Sequence, residues 1–242
     1  MTALGHTHPK VTAAIHAQVD RLIGPVSALG FTEPISRLAT ELAATFPDPL
    51  DSVFFLNSGS EAIDGALKLA RRVTGRPGII AFRGGFHGRT YGATSVTTSN
   101  LNYRTGYEPL LPGVHFAPFP DAYNDFGGDE AAATQASLAA LHALLGGVIA
   151  ASRVAAILIE TVVGTAGVLI PPPGYLEGVR ALCDKFGIVL ILDEVMAGFG
   201  RCGTWFAFEN FDVTPDLITF AKGSNSGYVP VGGVIISDQI AA

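Results

Sequence analysis

The chain has 242 residues, 48% of them hydrophobic and only 15% charged, against about 25% charged in average globular composition; this excludes a disordered chain and supplies ample material for a core. With 15 Lys and Arg against 21 Asp and Glu, the net charge is −6, which argues against a nucleic-acid partner and for small molecules or another protein chain. Two cysteines, Cys183 and Cys202, and six histidines without HxxxH or HExxH spacing give neither a disulfide scaffold nor a metal site.

In chain order, helix-like patterns over 11–23 and 34–46 are separated by Gly24, Pro25 and Gly30. SVFFLN (52–57) reads as a buried strand. Ser58-Gly59-Ser60-Glu61 follows with the S-x-x-E spacing of a capping box. It opens a helix with Ile63, Ala66, Leu67 and Ala70 on one face that stops near Gly75. GIIAF (78–82) is a second strand, followed by the loop Arg83-Gly84-Gly85-Phe86-His87-Gly88, and VHFAP (114–118) a weaker one. Residues 131–152 hold no Asp, Glu, Lys or Arg, but Thr134, Gln135, Ser137 and His142 interrupt them. A membrane span needs about 20 predominantly apolar residues. The leucines at 138, 141, 144 and 145 keep helical spacing, so a soluble amphipathic helix over about 129–147 is expected. VAAILI (154–159) ends at Glu160, and a helix follows over about 174–186. GIVLIL (187–192) ends at Asp193, DLITFA (216–221) ends at Lys222, and GGVIIS (232–237) closes the series. The start, MTALGHTHPK, lacks the basic-then-apolar pattern of a signal peptide, so a cytoplasmic location is expected.

Apolar strands without polar alternation are buried on both faces. Alternating with helices, they predict an α/β fold with a mostly parallel sheet flanked by helices. Residues 1–50 are expected to form an N-terminal helical segment joining a large domain, 51–242.

Parallel α/β sheets bind ligands beyond the carboxyl ends of their strands. Ser58-Gly59-Ser60, the Gly84–Gly88 loop, Glu160, Asp193 and Lys222 all fall at such ends. Each has a chemical use and an ordinary one. Gly59 and Ser60 open a helix whose free N–H groups can hold a phosphate or simply be capped. Asp193, after six apolar residues, can pair with a cationic ring nitrogen, cap a helix or bind metal. Lys222 is a Schiff-base lysine or a solvated side chain. Phe86 stacks on a flat cofactor or fills the core, and His87 and Arg89 beside it could each be plain surface residues. No GxGxxG follows a strand, and neither GxxxxGK[ST] nor GxSxG occurs. A phosphate cradle, a ring stacker, a buried Asp and a strand-end Lys together describe a site for pyridoxal 5'-phosphate.

The segments GHTHPKV (5–11), NSGSEAIDGALKLAR (57–71), FHGRT (86–90), YEPLLPGV (107–114), PPPGYLEGVRALCDKFGIVLILDEVMAGFGRCG (171–203) and PDLITFAKG (215–223) run in one order along the chain. In this it resembles the class III (ornithine/4-aminobutyrate/omega-amino acid) aminotransferases of the fold-type I pyridoxal-phosphate superfamily. The resemblance implies that Lys222 forms the Schiff base and moves the proton, and that Asp193 pairs with the pyridine nitrogen. It implies that Phe86 and Val195 cover the two ring faces and that Gly59 and Ser60 bind the phosphate. Glu160 would lie near the cofactor and the substrate, and Arg89 would contact a substrate carboxylate. A homodimer is implied as well. The reaction implied is transfer of an amino group from an amino acid or omega-amine to pyruvate or 2-oxoglutarate; an aminomutase or decarboxylase of the same fold, or a folded fragment without turnover, is the alternative. Thr165 stands where some branches have a gating glutamate, and Met196 where many have Gln, which leans toward omega-amino acid:pyruvate enzymes. Family members continue past the lysine into a small C-terminal domain, so that domain is expected to be absent from this chain.

Overall fold

The computed structural model describes residues 2–24 and 30–242. Pro25, read above as part of the break between the first two helices, lies outside the described residues. The chain opens with helices α1 (Pro9–Arg21) and α2 (Glu33–Ala43), each with Pro in its first turn, where the missing N–H costs nothing and φ is already helical. Strand β1 (Leu50–Leu56) leads into α3 (Gly59–Thr74), and β2 (Gly78–Phe82) into the short α4 (Tyr91–Val96). Then come β3 (Val114–Ala117), α5 (Ala122–Phe126), α6 (Glu130–Gly147), β4 (Val154–Glu160), α7 (Tyr175–Phe186), β5 (Val189–Asp193), β6 (Leu217–Phe220), β7 (Gly232–Ser237) and α8 (Asp238–Ala241).

The seven strands form one sheet in the order β1-β7-β6-β5-β4-β2-β3. Pairs β2/β3, β2/β4, β4/β5 and β5/β6 are parallel, while β7 runs antiparallel to both β6 and β1. The expected mostly parallel α/β sheet is therefore present, with one reversed strand that its apolar sequence did not reveal. SVFFLN was expected to be buried, but β1 is an edge strand with β7 as its one neighbour. Val53 and Phe55 pack against one core cluster and Leu56 against the other, while Phe54 stays 53% exposed.

Period-2 alternation in the central strands builds two cores, one on each face. Ile157, Ile159, Leu190 and Leu192 pack under α6 and α7 with Leu141, Tyr175, Val179 and Cys183. Leu158, Ile191, Leu217 and Val234 face α3, which contributes Ala62, Ile63, Ala66, Leu67 and Ala70. The small alanines let α3 lie close on the sheet. This alternation also decides where the polar strand ends point: Glu160 and Asp193 continue the α3-facing series.

Capping fixes where α3 starts. Ser58 Oγ accepts the Glu61 N–H at 3.2 Å, and Glu61 Oε2 accepts the N–H of Asn57 at 2.7 Å. The return bond lands one residue earlier than in an ordinary capping box. The helix ends at Gly75, in the left-handed region at φ 66°. Strand β5 starts two residues later than GIVLIL implied, because Gly187 terminates α7 at φ 60°. The short α4 and α5 were not legible in the sequence. The α6 stretch is a capped helix with Asp129 Oδ1 accepting the Ala132 N–H at 2.9 Å, and no helix among the described residues is long and apolar enough to cross a membrane.

Candidate active site

The carboxyl ends of β4, β5 and β6 bring three polar residues into one row, since Glu160 is in register with Asp193 and Asp193 with Thr219. The start of α3 and the loop after β2 close over the same end. The resulting cleft is lined by Gly59, Ser60, Phe86, His87, Arg89, Glu160, Asp193, Val195, Met196 and Lys222. Every residue the sequence singled out for a cofactor thus reaches one cleft. Among the described residues, no group of three or more His, Cys, Asp or Glu could hold a metal ion.

Asp193 is 4% exposed. Its Oδ2 accepts a hydrogen bond from His87 Nδ1 at 2.7 Å, and its Oδ1 accepts the Val195 N–H at 3.0 Å. A carboxylate only accepts, so the His87 proton sits on Nδ1. His87, for which the sequence left a plain surface role open, is 4% exposed. A polar residue between Phe86 and Gly88 carries no periodic signal that would have placed it behind Asp193. Its other nitrogen, Nε2, is buried without a partner among the described residues.

Glu160 is a clamp. Its Oε1 accepts the Phe86 N–H at 2.7 Å and its Oε2 accepts the Gly164 N–H at 3.1 Å. It therefore ties the aromatic loop after β2 to the loop after β4. Burial holds its carboxyl above the ordinary range; His87 and the two N–H donors oppose this, and the charge of Asp193 adds to it.

Glu194 was missed by sequence reasoning, although a second acid directly after a buried strand was a usable signal. It is 1% exposed. It accepts the Thr161 hydroxyl at 2.7 Å and the N–H groups of Ala207 and Phe208 at 3.0 and 2.9 Å. Burial pushes its pKa up to about 7 against those donors. Between the ordinary value of 4.5 and about 7 the folded chain thus binds a proton that the unfolded chain does not, so stability falls as pH rises through this window. The full effect is about 3 kcal/mol. Glu194→Gln is expected to flatten the pH dependence of Tm between pH 5 and 8; an unchanged slope would contradict this assignment.

The anion end is built from backbone. The Gly59 and Ser60 N–H groups belong to the first turn of α3 and have no intrahelical acceptor. A Cβ on Gly59 would lie 2.9 Å from Val195 Cγ1, so the helix start sits against Val195 with no room to spare. Ser60 Oγ accepts the Arg89 N–H at 3.1 Å and so anchors the loop after β2 to this turn. Gly88 has φ 128°, and a Cβ there would lie 2.9 Å from Ser60 Cβ and collide with Ser60 Oγ. Gly88→Ala is accordingly expected to cost about 1–3 kcal/mol, read as a fall in Tm; an unchanged Tm would show that the loop relaxes freely.

Lys222 follows β6 and starts a tight turn with φ 38°, in the left-handed region. Non-glycine residues held there are uncommon and cluster at functional sites. Its side chain is half-buried and borders both the cleft and a second opening lined by Met196, Phe199 and Arg201. Arg89 is exposed at the mouth, where a further cavity continues past Tyr103 and Tyr107. Thr165 is exposed, and its hydroxyl lies 3.5 Å from the Gly84 carbonyl.

Comparison with known proteins gives the same direction. The family described as Aminotransferase class-III matches residues 1–242. An acetylornithine aminotransferase of Methanopyrus kandleri is 43% identical over 241 residues, which is 100% of this chain and 56% of that protein. An alanine/serine racemase of Pyrococcus horikoshii is 35% identical, covering 98% of this chain and 51% of that one. The crystal structure of taurine:2-oxoglutarate aminotransferase from Bifidobacterium kashiwanohense, in complex with PLP and glutamate, superposes with a TM-score of 0.93 at 44% identity, over 99% of this chain and 54% of that one. The chain spans about half the length of the curated relatives it matches.

Proposed function

The chain belongs to the class-III aminotransferase family, and from that premise we propose that it forms the cofactor-binding part of an enzyme that uses pyridoxal 5'-phosphate to pass an amino group from an amino acid or omega-amine to a 2-oxo acid, pyruvate or 2-oxoglutarate. The observation that carries this reading is the meeting of Lys222, Asp193 and the start of α3 in one cleft.

The residues fit the cofactor. The N–H groups of Gly59 and Ser60, at the positive end of α3, suit a phosphate. Phe86 and Val195 offer an aromatic and an aliphatic wall for a flat ring. Asp193, buried and held by two donors, offers fixed negative charge to a ring nitrogen. When bound, pyridoxal phosphate supplies an electron-withdrawing ring for the carbon undergoing reaction. Lys222 supplies the amine that anchors it. Once the donor's own amine takes its place, Lys222 Nζ would be free to take the proton from the donor carbon that bears the amino group, and to return one to the acceptor carbon in the second half-reaction. Glu160 keeps the Phe86 backbone in place and stands on the substrate side. His87 keeps Asp193 oriented.

Arg89, at the mouth, serves the donor's distal acid group. A charge-assisted hydrogen bond is worth about 1.5–3 kcal/mol. Arg89→Leu is therefore expected to raise KM about 10- to 100-fold for donors with a distal carboxylate or sulfonate, and to leave simple alkyl amines unchanged. Equal effects on both donor types would remove Arg89 from this role.

Residues 1–50 are read as a helical segment joining the large domain of 51–242. A homodimer is part of the reading: α1 buries none of its residues, and Leu22, Ile23 and Phe31 are 49%, 73% and 92% exposed. Size exclusion at two concentrations tests it. Both thiols are free, which suits a cytoplasmic setting.

The racemase relative favours a second reading, in which the same proton is removed and returned without an acceptor. Screening amine donors against pyruvate and 2-oxoglutarate, with and without deuterated solvent, separates the two. A new amino acid formed from the oxo acid supports amino transfer. Deuterium entering the donor without any transfer supports the second reading. Failure to take up the cofactor at all defeats both.

A further inference from the structure

Resting on the cofactor reading above, we propose that Arg104 is a positioning residue for the Phe86 wall, acting through Tyr103 from outside the cleft. The route is continuous. Arg104 donates through one guanidinium nitrogen to the carbonyl oxygens of Thr94, Ser95 and Thr97, at 3.1, 3.1 and 2.7 Å. These carbonyls close the end of α4, where the Ser95 and Thr97 oxygens lack a backbone donor, Thr94 has only the Thr97 N–H at 3.2 Å, and the helix dipole favours a cation. The same guanidinium lies over the Phe116 ring of β3, 5.3 Å from its centroid. One side chain thus fixes the segment after α4 to both α4 and the sheet.

That segment is already joined to the aromatic loop at its start. Thr97 Oγ1 accepts the His87 N–H at 2.9 Å and Thr98 Oγ1 accepts the Gly84 N–H at 3.0 Å. The Thr98 and Ser99 N–H groups donate to the Gly85 carbonyl at 2.8 and 3.1 Å. The chain then makes one tight turn, Leu101–Tyr103, and returns to set the Tyr103 ring edge-on against Phe86, with centroids 5.1 Å apart and planes at 66°. Glu160 holds the Phe86 backbone, but Tyr103 is the aromatic ring that orients the Phe86 ring. Arg104, the next residue, sets where Tyr103 stands. Without the guanidinium, the Ser95 and Thr97 carbonyls lose their donor, Thr94 keeps only the Thr97 N–H, and the 99–107 segment loses its tie to β3. Phe86 then keeps its bond to Glu160, while its ring loses support and the Thr97 and Thr98 partners of the His87 and Gly84 amides are held less firmly.

An edge-to-face aromatic pair is worth enough to change a binding constant about three- to tenfold. Arg104→Met keeps most of the apolar stem and removes the charge and the donors. Three readouts are taken on the full chain: the Kd for pyridoxal phosphate, the circular dichroism of the bound cofactor, and hydrogen exchange of the Gly84–His87 amides without cofactor. Arg104→Met and Tyr103→Ala are each expected to weaken binding about three- to tenfold, to reduce the cofactor's dichroism, and to speed exchange of those amides. Tyr103→Phe, which keeps the ring edge, is expected to match the parent chain. The double variant Arg104→Met/Tyr103→Ala is expected to be no worse than the worse single, because both act through one contact. Additive losses would overturn the proposal, as would Arg104→Met with parental dichroism and exchange. If the parent chain takes up no cofactor, the functional reading fails, and the exchange of Gly84–His87 across the same four variants still decides whether Arg104 positions this loop.

Discussion

Lys222→Ala is expected to lose amino transfer by about 10²–10⁴-fold and to release pyridoxal phosphate on dialysis, while folding as the parent does. The reasons lie in the local structure. Lys222 stands at the end of an apolar strand, in a left-handed backbone conformation at φ 38° that the turn after β6 imposes. Alanine also carries a Cβ, so the strain is shared by both chains and stability changes little. What is lost is the amine at the cleft, the group proposed above to carry the proton between donor and acceptor carbons. The check is kcat/KM for the best donor and acceptor pair together with Tm. A variant with parental Tm and a near-parental rate would show that some other group moves the proton.

Asp193→Asn carries the second large effect. Asparagine keeps the size and, through its oxygen, an acceptor for the Val195 N–H that Asp193 holds at 3.0 Å. The position facing His87 changes from acceptor to donor, against an Nδ1 that already carries a proton at 2.7 Å. Either the imidazole proton moves to Nε2, which is buried without a partner among the described residues, or one donor is left opposite another. In both cases an oriented negative charge at the cleft is gone. Losing one such preorganised group costs about 10²–10³ in rate. The expected result is a fall of that size in kcat, with a smaller change in cofactor Kd than Lys222→Ala gives. His87→Asn, which leaves the charge but removes its support, is expected to fall between parent and Asp193→Asn. If His87→Asn lowers kcat as far as Asp193→Asn does, orientation rather than charge is the larger contribution of the pair.

The parts of this site legible in the sequence are those that interrupt a pattern. Glu160, Asp193 and Lys222 each end an apolar run, and a charged residue at such a point needs a reason, because burial is costly without a partner. Ser58 and Glu61 mark the start of α3 by local capping chemistry. Both signals depend on neighbours in the chain, and both placed residues correctly at one end of the sheet. The partners of these groups come from elsewhere. His87 is 106 residues from Asp193, Phe86 is 74 from Glu160, and Thr161 is 33 from Glu194. No local pattern encodes such pairs, so the role of His87 stayed open and Glu194 went unremarked. The direction of β7 was hidden for a related reason. An apolar strand buried on both faces looks the same whichever way it runs, and the short link after Lys222 carries no helix to announce a parallel crossover. The short α4 lacks helical propensity, with Gly92 and the β-branched Thr94 and Val96, and it is fixed in part by Arg104, a contact made from eight residues beyond its end.

On the proposed function, one amine in one cleft holds the cofactor. The most direct test is borohydride reduction of the chain after incubation with pyridoxal phosphate, followed by peptide mass mapping. The four lysines, Lys10, Lys68, Lys185 and Lys222, are far enough apart in sequence to fall on separate tryptic peptides. The expected result is the reduced pyridoxyl group on Lys222 and no stoichiometric labelling of the other three. Labelling spread over all four lysines, or concentrated on one of Lys10, Lys68 and Lys185, would contradict it.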